Sequence, residues 1–383
     1  MARLRVRVYN VRFGDAVLVT IPDRAANGSV RKRHMLIDVG NVLSGAGGTD
    51  DLFRAVLADI QEQLAGQPLD LYVMTHEHLD HVQGLLYGAE KLGIRFDVAY
   101  AWLTASAAPD YYDTHPEARR KRLQMEAAYE QIAQFLRAAP ELETPYIRAL
   151  MLNNNPRSTS QCIDYLRGLA HKTTYVYRGA ELTGAHPFEE ARFEIWAPEE
   201  DTADYYRGLT PMALAMTPGS SASAATRLTE PLPPAGVDAG AFYNLVEMRR
   251  RGYGSNLLAI DRAANNTSVV VSLEWRGWRL LFPGDAEHRS WATMDAHQML
   301  QPVQFLKISH HGSHNGTPDV KLLDKVLPPR AGRRKRRAVL STYPDTYGGV
   351  PDAETVALIQ SRCAVTSVEG LADGAYVDIE FSG

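Results

Sequence analysis

The chain has 383 residues, 45% hydrophobic and 22% charged, with a formal net charge of −4 and two cysteines. That length buries a sizeable core without disulfide staples, and two distant cysteines with no CxxC pair argue against a cysteine-ligated zinc site and suit a reducing cytoplasm. Slight acidity argues against a protein that coats nucleic acid, but not against one with a local basic groove, and with no 18-residue apolar run and no signal-like start neither a membrane span nor export is expected.

Residues 3–9 (RLRVRVY) and 15–21 (DAVLVTI) alternate with period two and read as strands joined by the turn RFGD. HMLIDVG, 34–40, is a third strand, ending at Asp38 and Gly40. Helical spacing over 51–65 is followed by a buried strand at 69–75 that runs straight into THEHLDHVQG. A short helix at 84–92 and a strand at 95–102 come next. Residues 116–139 show 3.6-residue periodicity with many good helix formers, and 159–172 is a second helix. TTYVYRG and RFEIWAP read as strands. Residues 200–253, with PGSSASAAT and EPLPPAG, are poor in large apolar side chains and read as a long loop or lid. NTSVVVSLEW and WRLLFPGD form a hairpin around Arg276–Gly277. VQFLKISHHGSHNGT, 303–317, is a strand ending in three histidines, and RRAVLSTY is another strand. A helix at 352–361 and a hairpin at 364–381 close the chain.

The stretch at 75–84 crowds His76, His78, Asp80 and His81 into six positions. His76 and His78 alternate by two and can point the same way, while Asp80 and His81 fall on the next turn and can face a second point. Imidazoles and carboxylates in such a set suit zinc, iron or manganese. Two ions about 3.5–4 Å apart would share an attacking water and clamp a leaving oxygen. No serine or cysteine nucleophile is then needed, and no GxxxxGK[ST] phosphate loop occurs.

HxHxDH at the end of a strand resembles the metallo-β-lactamase superfamily. The resemblance implies an α/β fold, a four-layer αββα sandwich, as one domain over residues 1–383 with insertions at about 105–172 (helical) and 200–253 (loop or lid). It implies that Asp38 supports the histidine loop, that Asp285 of FPGD bridges two metals, and that His310 of KISHHGS is the last ligand, on the second metal with Asp80 and His81. NNTSVVVSLEWRGWRLLFPGDAEHRS…LKISHHGSHNG resembles the soluble hydrolase domain of ComEC-type DNA-uptake proteins and phosphorylcholine esterases. VYNVRFGDAVLV and YPDTYGGVPDAETVALIQSRC fit the same branch, so the likeness covers residues 4–102 and about 260–382. Two departures stand out. The superfamily's further histidine before the bridging aspartate has no recognisable counterpart; His171 and His186 lie in the window, and Asn265 or Asn266 is a substitute. The chain also reads YGGVP where the branch often has a YGHP-like loop.

The resemblance implies two divalent cations, zinc first and manganese as the alternative. Asp80 is expected both to ligate and to orient the attacking water. His311 is a candidate proton donor or phosphate ligand at the substrate mouth, and His314, Asn266 and Lys307 are candidate substrate-binding residues. Four basic runs, at 31–33, 119–122, 249–251 and 333–337, would grip DNA or RNA if the fold brought them to the cleft. Tyr111–Tyr112 and Tyr205–Tyr206 would stack on bases or fill the insert core. The expected function is a cytoplasmic metal-dependent phosphodiesterase or nuclease using a metal-activated water. The alternatives are a hydrolase of another ester, thioester, lactone or small phosphoester, and a metal-binding scaffold without turnover. No membrane partner is expected; the insertions would serve a protein partner or a homodimer.

Overall fold

Alternation along Arg3–Tyr9 sends Leu4, Val6 and Val8 to one face of a sheet and Tyr9 to the other, and the pattern repeats through most of the strands that follow. The computed structural model describes residues 2–25, 27–42, 50–206, 208–209, 252–329, 334–343 and 349–383. The strands are β1 (Arg3–Tyr9), β2 (Ala16–Arg24), β3 (Val30–Val39), β4 (Leu69–Val73), β5 (Val98–Thr104), β6 (Ala170–Val176), β7 (Arg192–Ala197), β8 (Val270–Trp275), β9 (Trp278–Phe282), β10 (Phe305–Lys307), β11 (Arg337–Leu340), β12 (Ala364–Ser367) and β13 (Tyr376–Ser382). They make two mixed sheets, ordered β13-β1-β2-β3-β4-β5-β6 and β12-β11-β10-β9-β8-β7. β3 to β6 run parallel, as do β9 to β12; the remaining neighbours are antiparallel.

The helices are α1 (Asp50–Leu64), α2 (Leu79–Tyr87), α3 (Tyr111–Thr114), α4 (Pro116–Ala138), α5 (Pro145–Asn153), α6 (Pro156–Arg167), α7 (Tyr253–Asn265), α8 (His288–Ala296), α9 (Val320–Val326) and α10 (Ala353–Gln360). Three apolar clusters hold the sheets and helices together. One joins Val6, Val19, Ile37 and Val73 of the first sheet to Val271, Phe282 and Phe305 of the second. Another sets Phe53, Val56 and Ile60 of α1, Val82 of α2 and Ile163 of α6 on Leu18, Leu36 and Tyr72. The third sets Trp291 of α8, Leu323 of α9 and Ile359 of α10 on Leu281, Leu306 and Ala338. The i, i+3, i+4, i+7 spacing in α1 is the amphipathic stripe that such a layer needs.

Three expectations from the sequence change. Helix α2 begins at Leu79, inside the histidine stretch, and widens into a π-type turn over Gly88–Leu92 before Gly93 stops it with φ 68°. The expected helix at 159–172 ends at Arg167, and β-branched and aromatic residues then pair as β6 with β5. The expected hairpin at 364–381 does not form: β12 pairs in parallel with β11, and β13 pairs with β1 in the other sheet. Most of the 200–253 segment, and the basic run at 249–251, lie outside the described residues. No described helix is long and apolar enough to cross a membrane.

Candidate metal centre

The site lies at the carboxyl ends of the parallel strands, where loops leave the sheet edge. β3 delivers Asp38, β4 leads into His76 and His78, β9 into Asp285, β10 into the SHHG turn, and β11 into Ser341. Asp38 is wholly buried with φ 51°, and it accepts from Thr75 N (2.8 Å), Thr75 Oγ1 (2.6 Å) and His81 Nδ1 (2.8 Å). That bond aims His81 Nε2 away from Asp38 and fixes the tautomer. The start of α2 is pressed against a glycine pair: a Cβ on Gly40 would lie 2.2 Å from the Asp80 carbonyl carbon, and one on Gly14 2.3 Å from Gly40 O.

Four side chains then converge. His81 Nε2 is 3.2 Å from Asp285 Oδ2, and His311 Nε2 is 3.4 Å from both Asp285 Oδ2 and Asp80 Oδ2. Asp80, His81, Asp285 and His311 are all buried, and one donor atom of each lies within 4.8 Å of the others. Asp80 Oδ1, His81 Nε2, Asp285 Oδ1 and His311 Nε2 have no hydrogen-bond partner among the described residues. Buried polar atoms left unpaired are costly, and a divalent cation is the ligand this nitrogen–oxygen set fits. Beside them His76 Nε2 lies 3.0 Å from His78 Nδ1. His78 Nε2 is held 2.9 Å from Asn154 Oδ1, so Nδ1, the atom that faces His76, is the nitrogen left with a lone pair. His311 Nδ1 likewise donates to Ser341 O at 3.1 Å.

Charge in the cluster is shared. Burial works against a charged His81, but Asp285, Asp80 and Asp38 around it hold its pKa well above the usual histidine range. Burial also opposes charge on His311, yet Asp285 and Asp80 push its pKa up to about 9. Burial would raise Asp285, but His81 and His311 keep it well below the carboxylate range. His76 moves the other way, kept neutral by burial and by His81 and His78.

Several candidate residues are relocated. His311, rather than His310, joins Asp80, His81 and Asp285. His310 and His311 have φ 47° and 52°, so the SHHG turn is left-handed and swings the second imidazole onto the carboxylates. His311 is therefore enclosed among the donors rather than set at a substrate mouth. His310 instead joins Asp261 and Glu287 in a second group that could hold a cation, and Asn265 Nδ2 donates to Asp261 Oδ2 at 3.3 Å and to Glu287 Oε1 at 3.0 Å and lies 3.4 Å from His310 Nε2. Lys307 is buried, with Nζ 2.6 Å from Asp15 Oδ2 and 3.1 Å from Ile308 O. Asn266 is also spent within the fold, bonding Arg262 O and accepting from Ser290 N and Oγ. His171 sits exposed on β6 beside Asp97, and His186 packs on Trp102 and Phe193, so neither enters the cluster. His314 is exposed at the mouth, 4.0 Å from Asp352.

Other contributors gave little signal in the sequence. The stretch NNNP ends α5 and caps α6: Asn153 accepts from Asp80 N at 3.1 Å, Asn154 holds His78, and Asn155 accepts from Arg157 N and Ser158 N with Pro156 at the first helical position. The helical segment 105–172 thus buttresses the histidine loop. The described basic runs are largely tied up elsewhere: Arg33 with Asp23 and Asp70, Arg120 with Glu117, Arg122 with Glu77 and Glu126. Tyr112 and Tyr206 meet each other through their hydroxyls at 3.3 Å, and Tyr111 donates to Glu200 O.

No family model matches the sequence, and no curated protein sequence is detectably similar. Among solved structures, the crystal structure of a long form RNase Z from yeast aligns over 98% of this chain and 41% of its own, at 11% identity and a TM-score of 0.33. The chain thus spans less than half of that protein's length. The comparisons lend no support to the ComEC-type branch.

Proposed function

We propose that this chain is a metal-dependent hydrolase of phosphodiester bonds, built as one four-layer αββα sandwich of the metallo-β-lactamase kind. Three apolar clusters, one between the sheets and one under each set of helices, support that layering. The observation that carries the activity is the convergence of four buried donors from both halves of the chain, each with an unpaired atom. Asp80, His81, Asp285 and His311 would hold one cation, and His76 and His78, with Asp285 as the shared carboxylate, a second. Zinc suits this set best and manganese is the alternative.

When bound, the cations supply Lewis acidity toward a phosphoryl oxygen and toward an attacking water. The chain's own residues supply the rest. Asp38, Asn154 and the Ser341 carbonyl fix the tautomers of His81, His78 and His311. Asp80 keeps an oxygen free to accept a proton from the water. Phe13 lies against the His311 ring at 4.2 Å and helps exclude solvent from it. Arg262 and His314 line the mouth beside Asp80, Asp261 and His310 and would contact an anionic substrate once cations offset the carboxylates.

The test is hydrolysis of bis-p-nitrophenyl phosphate and of single-stranded DNA and RNA by protein loaded with zinc or manganese. Wild type should cut at least one of these, and Asp80→Ala and Asp285→Ala should lose at least about 100-fold in rate. Turnover of thioesters or lactones with none of phosphodiesters would overturn the reading.

A further inference from the structure

Two cavities meet at the metal mouth. One, of about 310 Å³, is lined by Asp80, His310, Asp261 and Phe13. The other, of about 350 Å³, is lined by Arg289, His288, Glu287 and Tyr205. Arg262, His314 and Asn315 belong to both walls, so the chambers are contiguous. Each has the size of a small-ligand pocket.

The second chamber carries two arginines. Arg289 has no hydrogen bond or ion pair among the described residues and is only half-buried, and it also lines a neighbouring cavity that holds Glu199, Glu200, Asp201 and Asp204. Arg262 is half exposed and reaches Glu287 Oε2 only at 3.9 Å, leaving most of its guanidinium donors free. Glu287, His288 and Arg289 open α8, though the His288 and Ser290 N–H groups of its first turn are already bonded to Asn315 O and Asn266 Oδ1, so the charge offered to the chamber is that of the arginines. Among the described residues of the wall the one carboxylate, Glu287, is buried and already accepts from Asn265.

We propose that this chamber is a subsite for a second phosphate, so that the substrate is a nucleic-acid strand whose neighbouring phosphate is gripped by Arg262 and Arg289 while the scissile one sits over Asp80. The inference rests on the hydrolase reading for the position of the scissile bond. The subsite itself, however, is a binding property of the arginines and is measurable without turnover. A bidentate guanidinium–phosphate contact gives both geometry and affinity.

The experiment is fluorescence anisotropy on metal-free protein, with a labelled thymidine dinucleotide carrying its single internal phosphate and the same dinucleotide with a 5′ phosphate added. Wild type should bind the second probe about tenfold more tightly. Arg289→Gln and Arg262→Gln should each abolish most of that gain and flatten the dependence of log Kd on log salt by about one unit of slope or slightly less. Equal binding of both probes by wild type, or a gain that survives both substitutions, would overturn the subsite. A gain that depends on Arg289, with no cutting of either probe, of bis-p-nitrophenyl phosphate or of single-stranded DNA or RNA by zinc- or manganese-loaded protein, would support the subsite and remove the hydrolase reading. Cutting of both probes with no preference between them would remove the subsite alone.

Discussion

Lys307 and Asp15 form a buried ion pair, 2.6 Å from Nζ to Oδ2, that ties the start of the first sheet to the strand leading into the SHHG turn. Asp15 also accepts from Ser341 Oγ, and its backbone N donates to Asp80 O at 3.0 Å. Ser341 O in turn accepts from His311. The pair therefore braces two metal-donor segments from outside. Removing one partner leaves a buried charge uncompensated, which costs far more than losing a surface bridge. Lys307→Met is expected to lower unfolding stability by about 3–5 kcal/mol in urea, and adding Asp15→Leu should restore part of the loss. A raised KM with unchanged stability would instead restore the substrate role that the sequence suggested.

Asp38 touches no substrate-facing surface, yet it holds both Thr75 and His81. Asp38→Asn keeps the size and removes the charge that orients the imidazole. Zinc affinity, measured by competition with a chromogenic chelator, should fall about 10–100-fold. An unchanged affinity would show that His81 is positioned by packing alone.

The two adjacent histidines of the SHHG turn should behave differently. His311→Ala removes one of the four converging donors and should reduce the zinc bound per chain. His310→Ala should keep the zinc of the Asp80 cluster, since His310 faces Asp261 and Glu287. The reverse pattern, loss with His310→Ala and retention with His311→Ala, would return the ligand assignment to the one expected from sequence.

That exchange marks where sequence reasoning stopped. His76, His78, Asp80 and His81 crowd ligand-type side chains into one stretch, Asp38 and Asp285 came only from the family resemblance, and the structure gathers all six at one end of the sheets. Which of two neighbouring histidines turns inward depends on backbone φ, and the run SHHG does not encode that visibly. Asn154 and Asp261 were hidden for another reason. Each is one polar residue in or beside a helix, and only the packing of α5 and α7 brings them to His78. Lys307 and Asn266 fit substrate roles by type; the fold buries Lys307 against Asp15 and bonds Asn266 to Arg262 and Ser290 on the wall of the second chamber. The period-two strands were readable from their alternation, whereas the separation of β12 from β13 depends on pairing partners far away in sequence.

His34 supplies a pH prediction remote from the metal donors. Burial, then Arg5 and Lys32, lower its pKa to about 4 from 6.5. The fold therefore favours the neutral ring. Its contribution is complete above pH 6.5 and is lost as pH falls from 6.5 toward 4, because the unfolded chain takes up the proton first. Unfolding of His34→Gln should show a shallower loss across that window, the two curves diverging by up to about 3 kcal/mol. Parallel curves would mean that His34 titrates normally in the fold.

The central claim is that buried donors from both halves of the chain enclose divalent cations. Its most direct test is metal content by inductively coupled plasma mass spectrometry after zinc loading and exhaustive dialysis, for wild type and Asp285→Asn. Wild-type protein should hold about two ions per chain, and the variant clearly fewer. Folded wild-type protein that retains no zinc, or a variant that retains as much as wild type, would contradict it.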